Sequence, residues 1–294
     1  MVDLDAAQQF MAAHARLLDR RRFEVVLLDA AGHGALAALS AYGNPDGGYG
    51  WGLEPDLRAV ESQPGGALHA FEVFEDVLPV TSPRAVELCD WLDRVSLPDG
   101  GLPFALPVGD GAGCAPFWAQ ADPAVSSLQI TAIVTATALR VGAGDPAVAE
   151  HPWLARASEF CLRAIAAIDD EPHALALAFA LRFLDAAHET CAEAAGLIDR
   201  LGRHIPASGL VHVGGGLPDE MMRPLDFAPA PDRPVRALFS PEAIASELER
   251  LRDRQQDDGG WPCDWASYSP AAALEWRGHL TVQALSILQR NGML

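Results

Sequence analysis

Four stretches of the chain gather the side chains that chemistry needs: WGLEPDLRAVESQP (residues 51 to 64), FALPVGDGAGCAPFWAQADP (104 to 123), GGGLPDEMMRPLDFAPAPDRPVR (214 to 236) and WPCDWASYSPAAALEWRGH (261 to 279). They mix aromatic rings (Trp51, Phe104, Trp118, Trp261, Trp265) with carboxylates (Glu54, Asp56, Glu275), guanidiniums (Arg58, Arg277) and the imidazole of His279. An aromatic-lined cavity with a few convergent charges suits an apolar ligand with a polar head, and π faces stabilise cations. Asp56 or Glu275 would serve as a proton donor, and Arg58 and Arg277 would hold an anionic head group. A further pair, Asp169 and Asp170, stands just before the apolar run PHALALAFALRFL. Two carboxylates so close raise one of their pKa values, as a general acid near neutral pH requires. Each feature also has a structural reading. The rings pack the loops, the charges pair among Glu54, Asp56, Arg58, Glu275 and Arg277, and Asp170, Glu171 and Pro172 form an ordinary helix start.

Loops of 15 to 25 residues need a scaffold, and the sequence shows its period. Asp-Gly-Gly occurs at 46 to 48, 99 to 101 and 258 to 260. The first two lie 53 residues apart and the last two 159, three times 53, so two further units whose loops lack the signature fit between them. A period near 50 means helical hairpins or propeller blades. The intervening segments, roughly 4–19, 24–42, 65–78, 83–95, 124–142, 147–167, 173–187, 189–203, 241–255 and 271–290, carry apolar residues at helical spacing, and almost none alternates. AVSSLQITAIVTATALRVG and HALALAFALRFLDAA are apolar nearly all round, whereas PEAIASELERLRDRQQ has a charged face. The first kind reads as an inner helix covered on both sides, the second as an outer one. The last helix is as apolar as the middle ones, which a closed ring explains better than an open solenoid with polar caps. The expected architecture is all-α, one domain over 1–294, five to six hairpins closed into an α/α toroid. The loops after each Gly-Gly turn lead to inner-helix N-termini, where functional groups are expected to gather.

Composition narrows the function classes. A net charge of −19 argues against nucleic acid and anionic membrane as partners. The N-terminus MVDLDAAQQF has no basic start and no apolar run, and no stretch has the length of a membrane span, so a cytoplasmic location is expected. Five cysteines without C-x-x-C spacing point to reduced thiols.

The sequence QQDDGGW, from Gln255 to Trp261, with its partners NPDGGYG and LPDGGLP, resembles the QW-type repeats of squalene-hopene cyclases, class II terpene cyclases and protein prenyltransferase β subunits. The resemblance implies the α/α toroid and an isoprenoid or other apolar substrate, with the isoprenoid diphosphate as one form and acid-initiated cyclisation as the reaction. The alternative is a non-catalytic protein that binds a hydrophobic ligand on the same toroid. Class II cyclases place an acid in a DxDD motif before an inner helix; here Ala167, Ile168, Asp169 and Asp170 keep the last two carboxylates only. In prenyltransferase β subunits a zinc-binding His heads the last inner helix, as His279 does here. The Asp-x-Cys partners are absent, since Asp226 is followed by Phe227 and Ala228. A lone His is a poor zinc site, so neither a metal nor another cofactor is expected. The Asp-Gly-Gly aspartates themselves read as turn and cap residues.

Overall fold

The computed structural model describes residues 1–294. The chain is all-α, with fourteen α-helices and one two-stranded antiparallel sheet in which β1 (Val211–His212) pairs with β2 (Met221–Met222). No helix is long and apolar enough to cross a membrane.

A serine or histidine side chain caps each of five long helices, and in four of them a proline follows it at the first helical position. Ser82 caps α5 (Pro83–Val95), Ser127 caps α7 (Leu128–Gly142), His151 caps α9 (Pro152–Ala166), Ser240 caps α13 (Pro241–Asp253) and Ser269 caps α14 (Pro270–Arg290). Such caps satisfy orphan N–H groups and are worth about 1 kcal/mol each. The inner helices are α2 (Leu17–Leu28), α4 (Pro64–Asp76), α7, α10 (Ala174–Ala187) and α14. In α7 every residue from Ile130 to Ala138 is buried, as a doubly covered helix requires. The outer helices α5, α9 and α13 bury one face only.

The three Asp-Gly-Gly turns are copies of one another. Gly47, Gly100 and Gly259 have φ of 89°, 90° and 90°, a region that favours glycine. In each turn the aspartate Oδ1 accepts from the backbone N–H two residues on, at 3.0 to 3.1 Å. Each turn also abuts the next outer helix: Gly47 faces the Glu87 carbonyl of α5, Gly100 the Arg156 carbonyl of α9, and Gly259 the Ala6 carbonyl of α1 (Leu4–His14). The fifth unit therefore meets the first as the first meets the second. Gln255 adds a clasp, accepting from the Asp3 backbone N–H at 2.8 Å and donating to the Asp3 carbonyl at 2.7 Å. The helix contacts run in a closed circuit: α2 on α4, α4 on α7, α7 on α10, α10 through α12 (Pro224–Phe227) and α13 to α14, and α14 on α2.

The N-terminal segments differ from the sequence expectation. In place of helices over 4–19 and 24–42, the chain forms α1, α2 and α3 (His33–Leu39), because the extended Arg16 breaks the first run and Asp29, at φ 51°, ends the second. Short helices α6 (Pro116–Ala119) and α8 (Pro146–Ala149) punctuate later loops. α11 (Ala194–Gly202) completes the fourth hairpin.

Candidate functional site

Closing the circuit lays the loop after the first Gly-Gly turn against the start of α14. Asp56 is the joint. It is 3% exposed and accepts from the indole N–H of Trp276 at 2.7 Å, the backbone N–H of Tyr268 at 3.0 Å and the hydroxyl of Ser267 at 3.1 Å. Beside it Arg58 makes a two-bond pair with Glu275, at 2.7 and 3.2 Å. Glu54, also buried, accepts from Nε2 of His69 on α4 at 2.9 Å. The other ring nitrogen of His69, Nδ1, lies 2.9 Å from Glu72 one turn further along α4. Burial alone would lower the His69 pKa, but Glu72 and Glu54 outweigh it and raise the ring to about 9, so His69 is an imidazolium between two carboxylates. His279 of α14 stands edge-on to both His69 (centroids 5.1 Å apart) and Trp276 (5.6 Å). Its Nδ1 takes the N–H of Arg22 at 3.1 Å, and burial pushes its pKa down to about 3, leaving it neutral. Arg22 is itself held by Asp76 at 2.7 Å.

Of this cluster Arg22, Glu72 and His279 reach one wall of a cavity of about 380 Å³. The other walls come from Glu75 and Asp76 of α4, Leu139 and Arg140 of α7, Arg182, Asp185 and Ala186 of α10, the loop residues Pro229 and Arg233, and Val282, Gln283, Ser286 and Ile287 of α14. The cavity lies among the C-terminal halves of the inner helices. Sequence reasoning placed it at their N-termini, where the loops of 52–63 and 261–269 meet through Asp56. The expected aromatic lining is also absent: apart from the His279 imidazole no aromatic ring lines the cavity, and eleven of its twenty lining residues are ionisable.

Every carboxylate in that lining has a cationic partner. Glu75 pairs with Arg140 at 2.9 Å, Asp76 and Glu72 with Arg22, and Asp185 and Glu189 with Arg233. Arg182 and Arg290 pair with no carboxylate. The Arg182 guanidinium donates only to the Asp226 carbonyl, at 3.3 Å; burial and then the neighbouring Arg140 depress its pKa to about 10.

The remaining candidates scatter. Trp51 is 55% exposed and bonds Asn44. Arg277 turns away from Arg58, pairing with Asp258 at 2.6 Å and lying over the Phe10 ring at 4.6 Å from its centroid. Phe104 stacks on Trp118 at 4.4 Å, and Trp118 lies against the start of α4 at Gly65. Trp261 is buried and ties its indole to the Leu251 carbonyl of α13, and Trp265 packs edge-on against Trp276. Asp169 is exposed in the loop between α9 and α10 without a bonding partner, so it does not serve as an acid in the cavity. The start of α10 is capped by His173, not by Asp170 or Glu171. Asp56 and Glu275 are committed to the joint described above, and neither lines the cavity.

Arg22, His69, Glu72, Arg182 and their partners were not singled out from sequence. For His69, Glu72 and Arg182 a signal was there: PGGALHAFEVFED and ALALAFALRFLDAA carry charges inside largely apolar helices, where a charge needs a partner or a purpose, whereas Arg22 sits in the charged run LLDRRRFEVVLL and gave none. Compared with known proteins, the sequence matches no described family and no curated protein.

Proposed function

We propose that the chain is an α/α toroid, of the kind its QW-type repeats resemble, which binds a small anionic molecule in its central cavity. The observation that carries the reading is Arg182, a guanidinium in the cavity wall with no carboxylate partner, in a lining where every carboxylate is already paired. A phosphate, diphosphate or carboxylate would complete it with charge-assisted, two-pronged hydrogen bonds. A wholly apolar ligand would strip water from these groups and return no hydrogen bonds. An isoprenoid diphosphate is therefore supported through its head group, while an acid-initiated cyclisation has no carboxylic acid placed for it among Asp56, Glu275 and Asp169.

The test is calorimetric titration of the intact protein with phosphate, diphosphate, a tricarboxylate, an isoprenoid diphosphate and the matching isoprenoid alcohol, in parallel with Arg182→Met. At least one anion should bind, and Arg182→Met should weaken it about 10- to 150-fold, the equivalent of ~1.5–3 kcal/mol for a charge-assisted bond. Folding is expected to tolerate the change, because it removes an unpaired, desolvated cation. Binding of the alcohol alone, or equal anion binding by the variant, would sink the reading.

A further inference from the structure

His69 and Glu72, one turn apart on α4, meet His279 of α14 so closely that one ligand atom from each lies within 4.8 Å of the other two. Glu72 Oε2 is 2.9 Å from His69 Nδ1 and 3.8 Å from His279 Nδ1. We propose that these three side chains form a binding site for a divalent transition metal of the zinc class, facing the central cavity.

Five observations carry this. The donor set, two imidazole nitrogens and one carboxylate oxygen, is what a zinc ion takes when it keeps a fourth position open. Bonds of about 2.1 Å in a tetrahedron separate donors by roughly 3.4 Å, a value the observed 2.9 and 3.8 Å straddle, so small side-chain rotations suffice. The far nitrogen of His69 is held by the Glu54 carboxylate at 2.9 Å, the outer contact that orients metal-bound imidazoles. Charge agrees as well. Around the cluster the carboxylates of Asp19, Glu54, Glu72 and Asp76 face the guanidiniums of Arg16 and Arg22, so a divalent cation that displaces the proton His69 carries meets two uncompensated negative charges. Finally, Glu72 and His279 line the cavity, so the open position faces space for a ligand.

Arg22 is the built-in competitor. Its Nη1 lies 3.1 Å from His279 Nδ1 and 3.5 Å from Glu72 Oε2, donating to the same two atoms a metal would take. Its Nε bond to Asp76 anchors the guanidinium while Nη1 gives way.

The experiment titrates zinc(II), then cobalt(II), into the intact chelator-treated protein. One ion per chain should bind with a dissociation constant in the micromolar range or tighter, and cobalt should show the visible bands of four-coordinate geometry. Glu72→Gln and His279→Gln should each weaken zinc at least 100-fold, and Glu54→Gln, which touches no metal, about 10- to 100-fold. X-ray absorption on the zinc-loaded wild-type protein needs no variant and covers the case in which a substitution unfolds the chain; it should show two imidazoles and no sulfur. Absence of a stoichiometric site, affinity unchanged in folded Glu72→Gln or His279→Gln, or a sulfur ligand from one of the five thiols would each overturn the proposal.

Discussion

Replacing Asp56 by alanine tests whether that carboxylate is a joint or an acid. The substitution removes the acceptor for three donors, the Trp276 indole at 2.7 Å, the Tyr268 amide at 3.0 Å and the Ser267 hydroxyl at 3.1 Å. Hydrogen bonds to a charged group are worth about 1.5–3 kcal/mol each, so a simple sum would be ~4.5–9 kcal/mol. Two effects reduce it. Tyr268 is 47% exposed and Ser267 half-buried, so both donors find water once the carboxylate is gone. Removing the carboxylate also removes the cost of burying it. What remains is the Trp276 N–H facing an apolar methyl and the loss of the link between the first loop and α14, about 3 to 4 kcal/mol in all. For a chain of this size that is a fall in Tm of roughly 6–16 °C, at about 2–4 °C per kcal/mol. Asp56→Asn keeps one acceptor oxygen but turns an NH2 toward a donor, and should cost about 2 kcal/mol. Urea unfolding followed by circular dichroism measures both, and hydrogen exchange should show the added opening confined to residues 52–58 and 265–276. A loss below about 1 kcal/mol for Asp56→Ala would refute the joint and return Asp56 to the list of possible acids.

Gly259→Ala should destabilise by at least about 2 kcal/mol, since its Cβ would lie 2.1 Å from the Ala6 carbonyl at φ 90°; Gly215→Ala, at φ 82° with open space around it, should cost only about 1–2 kcal/mol, and equal midpoints in urea would contradict the steric closure of fifth unit on first. Arg22→Ala should cost about 3–5 kcal/mol because Asp76 and Glu72 lose their buried partner, whereas Arg58→Ala, which breaks the half-buried pair with Glu275, should stay below about 1 kcal/mol; thermal melts that reverse this order would contradict the burial argument. Cys89 is fully buried with its pKa pushed up to about 12, and Cys161 is fully buried with its pKa raised further, so neither thiol should be alkylated by iodoacetamide at pH 8 in the native protein while both react in urea; mass mapping of the labelled peptides checks this. Asp169→Asn should change neither stability nor ligand binding, and a loss of anion binding on titration would show that the exposed loop reaches the cavity after all.

The repeat was legible because its signal is local. An Asp-Gly-Gly turn needs an aspartate to hold a backbone N–H and a glycine at φ near 90°, so the same three letters report the same geometry at 46, 99 and 258. The two units without the letters were readable from spacing and from the apolar runs of α7 and α10, but not their loops, where a β1–β2 hairpin fills 211–222. The breaks at Arg16 and Asp29 were missed because neither residue type signals a helix end by itself; Asp29 reaches its left-handed conformation without glycine.

The amino-acid sequence by itself determined the all-α class, the hairpin period and the division into inner and outer helices, because capping, periodicity and turn chemistry act within a few residues of one another. It also marked Glu54, Asp56, Arg58 and Glu275 as charged residues of facing loops. Only the tertiary structure decided what those charges do. Arg58 chose Glu275 across 217 positions rather than its near neighbours, and Asp56 was spent on Trp276 across 220. The same closure carried Arg22, His69, Glu72 and His279 from three helices into one cluster beside the cavity. Charges interact through distance and dielectric, and both are set by which helices become neighbours when the circuit closes, a property of the whole chain that no window of sequence contains.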